Sequence, residues 1–301
     1  MKLDLPDFKA RNIQDHKELG ESGALKLLDA GRAWNLAPAL QAGGAIIFPH
    51  LGIRVCGHQI AAAVHACLDC GAERVLVLGV LHALTDELQD ARVRVAAARG
   101  ADVTREATWG IQGPGLSGRE DWLHEFSLLN FLFLWETEVK RRGVKGPELI
   151  VRYPYLAGGR PHLLPGMGEL QDLVHSAAVP GTAVVATMDP FHHGIGYGEP
   201  PETALFPDAG GLDLARRRIE QGLAILKAGD YWGYNQHCVS AKSDGRDAGQ
   251  VLRYLRGPLQ GHILDLVWED MAPEYNKPDP TWVAGALIEL QPAQPERGDL
   301  H

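Results

Sequence analysis

Three short apolar runs in this chain each end close to a histidine, and an imidazole held at a strand end is the usual start of a metal site. Ala45-Ile46-Ile47-Phe48 leads into Pro49-His50, and Arg74-Val75-Leu76-Val77-Leu78-Gly79 leads to His82. Ala183-Val184-Val185-Ala186-Thr187-Met188-Asp189 leads to His192 and His193. Apolar runs this short, bounded by proline or glycine, read as buried strands. Side by side they would set their imidazoles along one edge of a sheet, where open α/β sheets bind ligands. On this reading His50 and His82 hold a metal and His192 works beside it. Zinc, iron, copper and nickel all accept imidazole, so the third ligand decides more. The candidates are His237, Cys238, Asp244 and Asp247, and spacing alone leaves the choice among them open.

Each of these residues has a plainer reading. A buried histidine is often a satisfied core residue. Asp244 before Gly245 and a helical run is common N-capping chemistry. Cys67-x-x-Cys70 has no second pair and falls on a helical pattern, so packing is favoured over zinc. His193 reads as a wall residue beside His192, and Lys140-Arg141-Arg142 as a solvated helix end.

The surrounding elements read as an α/β alternation. The first forty residues form an approach segment with a short helix within Gly20–Ala30. Gly57–Cys70 carries Ile60, Ala63, Val64 and Cys67 at helical spacing and stops at Gly71. Strand, helix and strand from Ala45 to Gly79 make a βαβ unit, hence parallel pairing. A strand is expected over Arg92–Ala98, and a glycine-rich loop over Thr104–Arg119 that overhangs the site. The longest helical pattern is Asp121–Arg142, followed by a strand over Glu148–Leu156 and a helix over Gly168–Ala177. After the third strand come a Gly/Pro-rich loop from Gly194 to Pro207, a helix over Leu212–Ala228 and another from near Asp247. Closing strands are expected over His262–Glu269 and Val283–Leu290, with a loose tail from Gln291. The fold class is a single α/β/α layered domain, residues 1–301, with a central mostly parallel or mixed sheet.

Composition bounds the function. With 301 residues, 45% hydrophobic and 22% charged, the chain can bury a core without staples. A formal charge of −9 and the lack of a basic stripe argue against nucleic acid. The N-terminus has no signal-peptide pattern and no run is long enough to span a membrane. Four cysteines make no disulfide framework, so a reducing cytoplasm is the expected setting. The expected partners are a small molecule and O2, with a homo-oligomer left open.

Gly44-Ala-Ile-Ile-Phe-Pro-His50-Leu-Gly, Val77-Leu-Gly-Val-Leu-His82, His124-Glu-Phe-Ser127, Met188-Asp189-Pro-Phe-His192-His-Gly194 and Val283-Ala-Gly-Ala-Leu287 stand in a telling order. In that order and spacing, over roughly residues 42 to 290, they resemble the Memo-like branch of the LigB-type extradiol dioxygenases. The family patterns are Pro-His-Ala-Gly-Tyr, Gly-Pro-Ser-His, Glu-His-Ser and Ser-Ser-Asp-x-x-His-x-Gly, followed in Memo-like proteins by Cys-Gly-Arg-x-Pro. This chain keeps His50, His82, Asp189 and His192. It departs at Leu51 and Ile53, at Val80-Leu81, and at Phe126, which stands where the family has histidine. Asp244-Gly245-Arg246 aligns with Cys-Gly-Arg and puts Asp244 at the ligand position of the cysteine.

The resemblance thus implies a 2-His-1-carboxylate set of His50, His82 and Asp244 for Fe(II), with Zn and Cu as alternatives. It implies a non-haem iron dioxygenase acting on a catechol or aminophenol with O2. His192 would be the acid/base histidine, Asp189 would orient an imidazole, and Glu125 is a further catalytic candidate in the pocket. Trp109, Trp122 and Tyr197 would cover a flat substrate. The competing classes are a scaffold that keeps the metal site without turnover, and a zinc-dependent hydrolase with His192 as base.

Overall fold

The computed structural model describes residues 5–82, 108–109, 124–156 and 171–293. The elements in chain order are α1 (Leu5–Gly31), α2 (Ala37–Gln41), β1 (Ala45–Phe48), α3 (Ile53–Asp69), β2 (Arg74–Leu78) and β3 (Thr108–Trp109). Then come α4 (Leu129–Arg142), β4 (Glu148–Arg152), β5 (Tyr155–Leu156), α5 (Gln171–Ala178), β6 (Thr182–Thr187) and β7 (Phe191–Gly194). The chain closes with α6 (Leu212–Ala228), α7 (Tyr231–Ala241), α8 (Arg246–Arg256), β8 (Leu259–Asp270), α9 (Ala272–Tyr275) and β9 (Thr281–Pro292).

Seven strands form one mixed sheet in the order β4-β2-β6-β1-β9-β7, with β8 also paired to β9. The first four run parallel, and β9 lies antiparallel to β1, β7 and β8. Strand side chains alternate between faces, so every buried strand feeds two cores. Ile46, Phe48, Val75 and Val77 pack on one side with α1, α3 and α4. Ala45, Ile47, Leu76 and Leu78 pack on the other with α5, α6 and α8. This is the layered α/β/α arrangement expected. β3 and β5 pair separately as a small antiparallel ribbon.

Several expectations are corrected. The approach segment is the long helix α1, bent at Gly20, whose φ of 61° and ψ of −178° interrupt the helical pattern. Leu25, Leu27 and Leu28 continue an apolar face that pauses at this bend, which is why only its end is legible. The Asp121–Arg142 helix starts at Leu129, because the Glu125 carboxylate takes the N–H groups of Phe126 and Ser127 and holds them off the helix. The Glu148–Leu156 strand is broken into β4 and β5, and Gln291 belongs to β9. Thr108–Trp109, inside the expected loop, is strand. The strand over 92–98, the rest of that loop and Trp122 lie outside the described residues. Among the described residues no helix is long and apolar enough to cross a membrane. All four cysteines are free.

Candidate metal centre

Three neighbouring parallel strands, in the order β2-β6-β1, end at the same edge of the sheet. β1 delivers His50, β2 delivers His82, and β6 delivers Asp189 rather than a histidine. His192 arrives on the separate strand β7, paired opposite Val283 of β9. A strand sends successive side chains to opposite faces, and the two adjacent histidines part accordingly. His192 lines the cavity; His193 stacks on Phe191 and accepts the Leu205 N–H through Nε2 at 3.0 Å.

The fourth arm is the segment between α7 and α8. Lys242 ends α7 in the left-handed region with φ 53°, and the turn carries Asp244 into the cluster. Asp244 Oδ1 accepts the Asp189 backbone N–H at 2.7 Å, and Oδ2 lies 3.1 Å from His50 Nε2. Gly245 is required by contact: a Cβ there would meet Met188 Sδ at 2.4 Å. The N-cap of α8 is Gly245, so the capping alternative for Asp244 is set aside by geometry. Cys238 packs with Leu226 and Tyr234, and the His237 ring lies against Gly222. The one cluster of metal-ligating side chains among the described residues is His50, His82 and Asp244, with donor atoms all within 4.8 Å of one another.

Both imidazoles are fixed from behind. Thr187 Oγ1 donates to Phe48 O at 3.0 Å and therefore accepts from His50 Nδ1 at 3.0 Å. That leaves His50 Nε2 facing Asp244 and Asp189, at 3.1 and 3.4 Å. His82 Nδ1 meets Glu125 Oε1 at 3.1 Å, and the same carboxylate takes the His82 backbone N–H. Holding one ring nitrogen in this way aims the other and sets its tautomer. Glu125, expected in the pocket, sits behind His82 instead. Phe126 stacks on His82 at 4.5 Å and gives it an apolar wall. Thr187 was not among the expected site residues; its one sequence signal is its place as the last residue of β6, in register with Phe48.

Charge in the cluster follows from burial and pairing. Burial alone would lower the His50 pKa, but Asp189 and Asp244 raise it to about 9. Burial raises Asp189 to about 7 against the pull of His50. Burial would raise Asp244 as well, yet His50 holds it below the usual carboxylate range. Burial lowers His192 to about 4, so its ring is neutral near pH 7. For Glu125 the burial effect is outweighed by His82 and the backbone N–H donors, which keep it ionised. A site that holds a proton between two carboxylates is electrostatically suited to a cation.

The cluster opens into a cavity of about 580 Å³ whose lining includes His50, His82, Asp244, His192, Phe126 and Tyr197. That is the size range of small-molecule sites. Tyr197 stands edge-on to His192 at 5.0 Å. Two imidazole nitrogens and one carboxylate oxygen on one side, with open space on the other, fit a divalent transition metal, which would displace the proton His50 otherwise carries. A scan of the chain against models of protein families finds no match, and a search among curated proteins finds no relative.

Proposed function

We propose that this protein is a non-haem Fe(II)-dependent dioxygenase acting with O2 on a small catechol- or aminophenol-like molecule, as its resemblance to the Memo-like and LigB-type proteins implies. The observation that carries the reading is the convergence of His50, His82 and Asp244, within 4.8 Å of one another, on one cavity. When bound, Fe(II) supplies the open positions where a diol and O2 meet and the route by which electrons pass between them. His50 and His82 would each donate through Nε2, because Thr187 and Glu125 occupy their Nδ1 atoms. Asp244 contributes the anionic donor. His192, neutral near pH 7, takes a hydroxyl proton from the substrate on a ring nitrogen and later returns it to the opened product. Phe126 and Tyr197 give a flat substrate apolar faces and limit the water around it. Both oxygen atoms enter the product, so no external reductant is needed.

Metal analysis and oxygen uptake test the reading. Protein purified without air and loaded with Fe(II) is expected to consume O2 in step with a catechol or aminophenol. His50→Ala and His82→Ala are each expected to lose the iron while circular dichroism stays unchanged. Iron-loaded protein that turns over no such substrate, or activity that is carried by Zn and indifferent to oxygen, would overturn the proposal.

A further inference from the structure

We propose that residues 7–19 of α1 form a hinged lid over the metal cavity, turning about Gly20 and latched by Phe8 and Arg11. The proposal rests on reading that cavity as the working site.

The two halves of α1 are held differently. Beyond the bend, Ala24 and Leu28 are fully buried in the core beside α3. None of the described residues from 7 to 23 is buried. Yet this outer half supplies Phe8, Arg11, Asn12 and Asp15 to the cavity lining. Its hold on the core is partial, through the half-buried Phe8 and Leu19. Phe8 stacks on Phe126 at 5.5 Å and tilts against Tyr275 at 6.0 Å. Arg11 pairs with Glu274 and lies 5.2 Å over the Phe8 ring. Nearer the bend, His16 stacks on Phe133 and meets Asn130.

Gly20 supplies the pivot. Its φ of 61° with ψ of −178° belongs to a backbone region essentially reserved for glycine. A Cβ there would meet nothing within 4 Å, so the glycine serves the bend and not a close approach. A kink of this kind lets a half-helix move as a body while the anchored half stays put. Parting Phe8 from Phe126, and Arg11 from Glu274, would uncover the ring that walls His82.

Amide exchange on the unmodified, metal-free protein is the first test and needs no assumption about the metal. A lid opening as one unit gives even protection across residues 11–19 and a step of about tenfold or more at Gly20. A smooth gradient from the N-terminus, or protection equal to that of residues 24–31, would overturn the hinge. The second test uses Arg11→Cys with Glu274→Cys in a Cys70→Ser background, the other three cysteines being buried. Joining the pair with a short bismaleimide is expected to slow capture of bound Co(II) by a colorimetric chelator about tenfold relative to the same protein capped with N-ethylmaleimide. Gly20→Ala, which favours a straight helix, is expected to speed capture. Equal rates in all three would overturn the lid as the route of access. If Co(II) fails to bind while the exchange step persists, the lid stands and the metal reading falls.

Discussion

At the scale of single residues, the cluster separates a ligand from its support. Asp244 Oδ2 faces His50 while Oδ1 takes the Asp189 N–H. Asp244→Asn keeps an oxygen for that N–H and removes the anion, so the turn should persist while metal binding suffers. The expected loss of Fe(II) or Zn(II) affinity is about a hundredfold or more, above what removal of an outer partner usually costs. Unaltered affinity in a metal titration would remove Asp244 from the ligand set. His192→Gln asks the complementary question. Its ring lines the cavity but lies outside the three-residue cluster, so the variant should keep its metal and lose about 10²–10⁴ in rate. Loss of the metal would make His192 a ligand, and an unchanged rate would leave it without a proton to carry.

At the scale of elements, the loop after β2 shows how a ligand is placed by groups that never touch a metal. Ser127 Oγ donates to Val80 O at 2.8 Å and accepts from Val80 N at 3.1 Å, pinning Val80, two residues before His82. Ser127→Ala leaves both buried backbone groups unpaired, at a cost of about 1–3 kcal/mol. It should also loosen His82, so a fall in melting temperature and in metal affinity is expected together. A variant destabilised with full metal affinity would show that Glu125 alone aims His82. This loop also marks what a sequence can carry. β1, β2 and β6 are dense in buried β-branched residues, and the helix over Leu212–Ala228 was legible from its stripe. His50 and His82 follow directly from those strands. β7 was not legible, because four residues reading Phe-His-His-Gly look like a turn and become a strand only through pairing with β9. α7 was not either: Tyr231–Ala241 has almost no apolar stripe. The supports Thr187 and Glu125 depend on contacts across the chain, 137 and 43 residues away. No local pattern encodes such contacts.

At the scale of the whole molecule, the face of the sheet that carries α1, α3 and α4 is tied by a charge that has no part in the metal site. Glu138 of α4 is fully buried and takes Arg141, Arg142 and, at 3.1 Å, Arg32 from the end of α1. His65 of α3 donates Nε2–H to Leu28 O at 2.6 Å and faces Glu138 and Arg142 with Nδ1. Burial would raise the Glu138 carboxyl, but the hydrogen bonds from Arg141 and Arg142 hold it below the usual range. Burial lowers His65, with Arg32 and Arg142 pushing the same way against the Leu28 carbonyl. In both cases the unfolded chain binds more protons than the native one, so stability rises with pH. The His65 share is present above about pH 6.5 and fades as pH falls below it. The Glu138 share is present above about pH 4.3 and fades below that value. Glu138→Gln takes the shared anion from three guanidinium groups, of which Arg141 keeps Asp29 and Arg142 keeps Asp69. Since those groups reach solvent, the cost at pH 7 should sit near the lower end of the roughly 3–5 kcal/mol for a broken buried pair. Denaturant melts of the metal-free wild type and Glu138→Gln between pH 7 and pH 3 give the comparison, with the cluster carboxylates common to both and cancelling in the difference. The gap between the two proteins should be widest at neutral pH and close as pH falls through the Glu138 pKa. A gap that stays constant down to pH 3 would mean that Glu138 contributes packing rather than charge, and that the three helices are held together by their apolar faces alone.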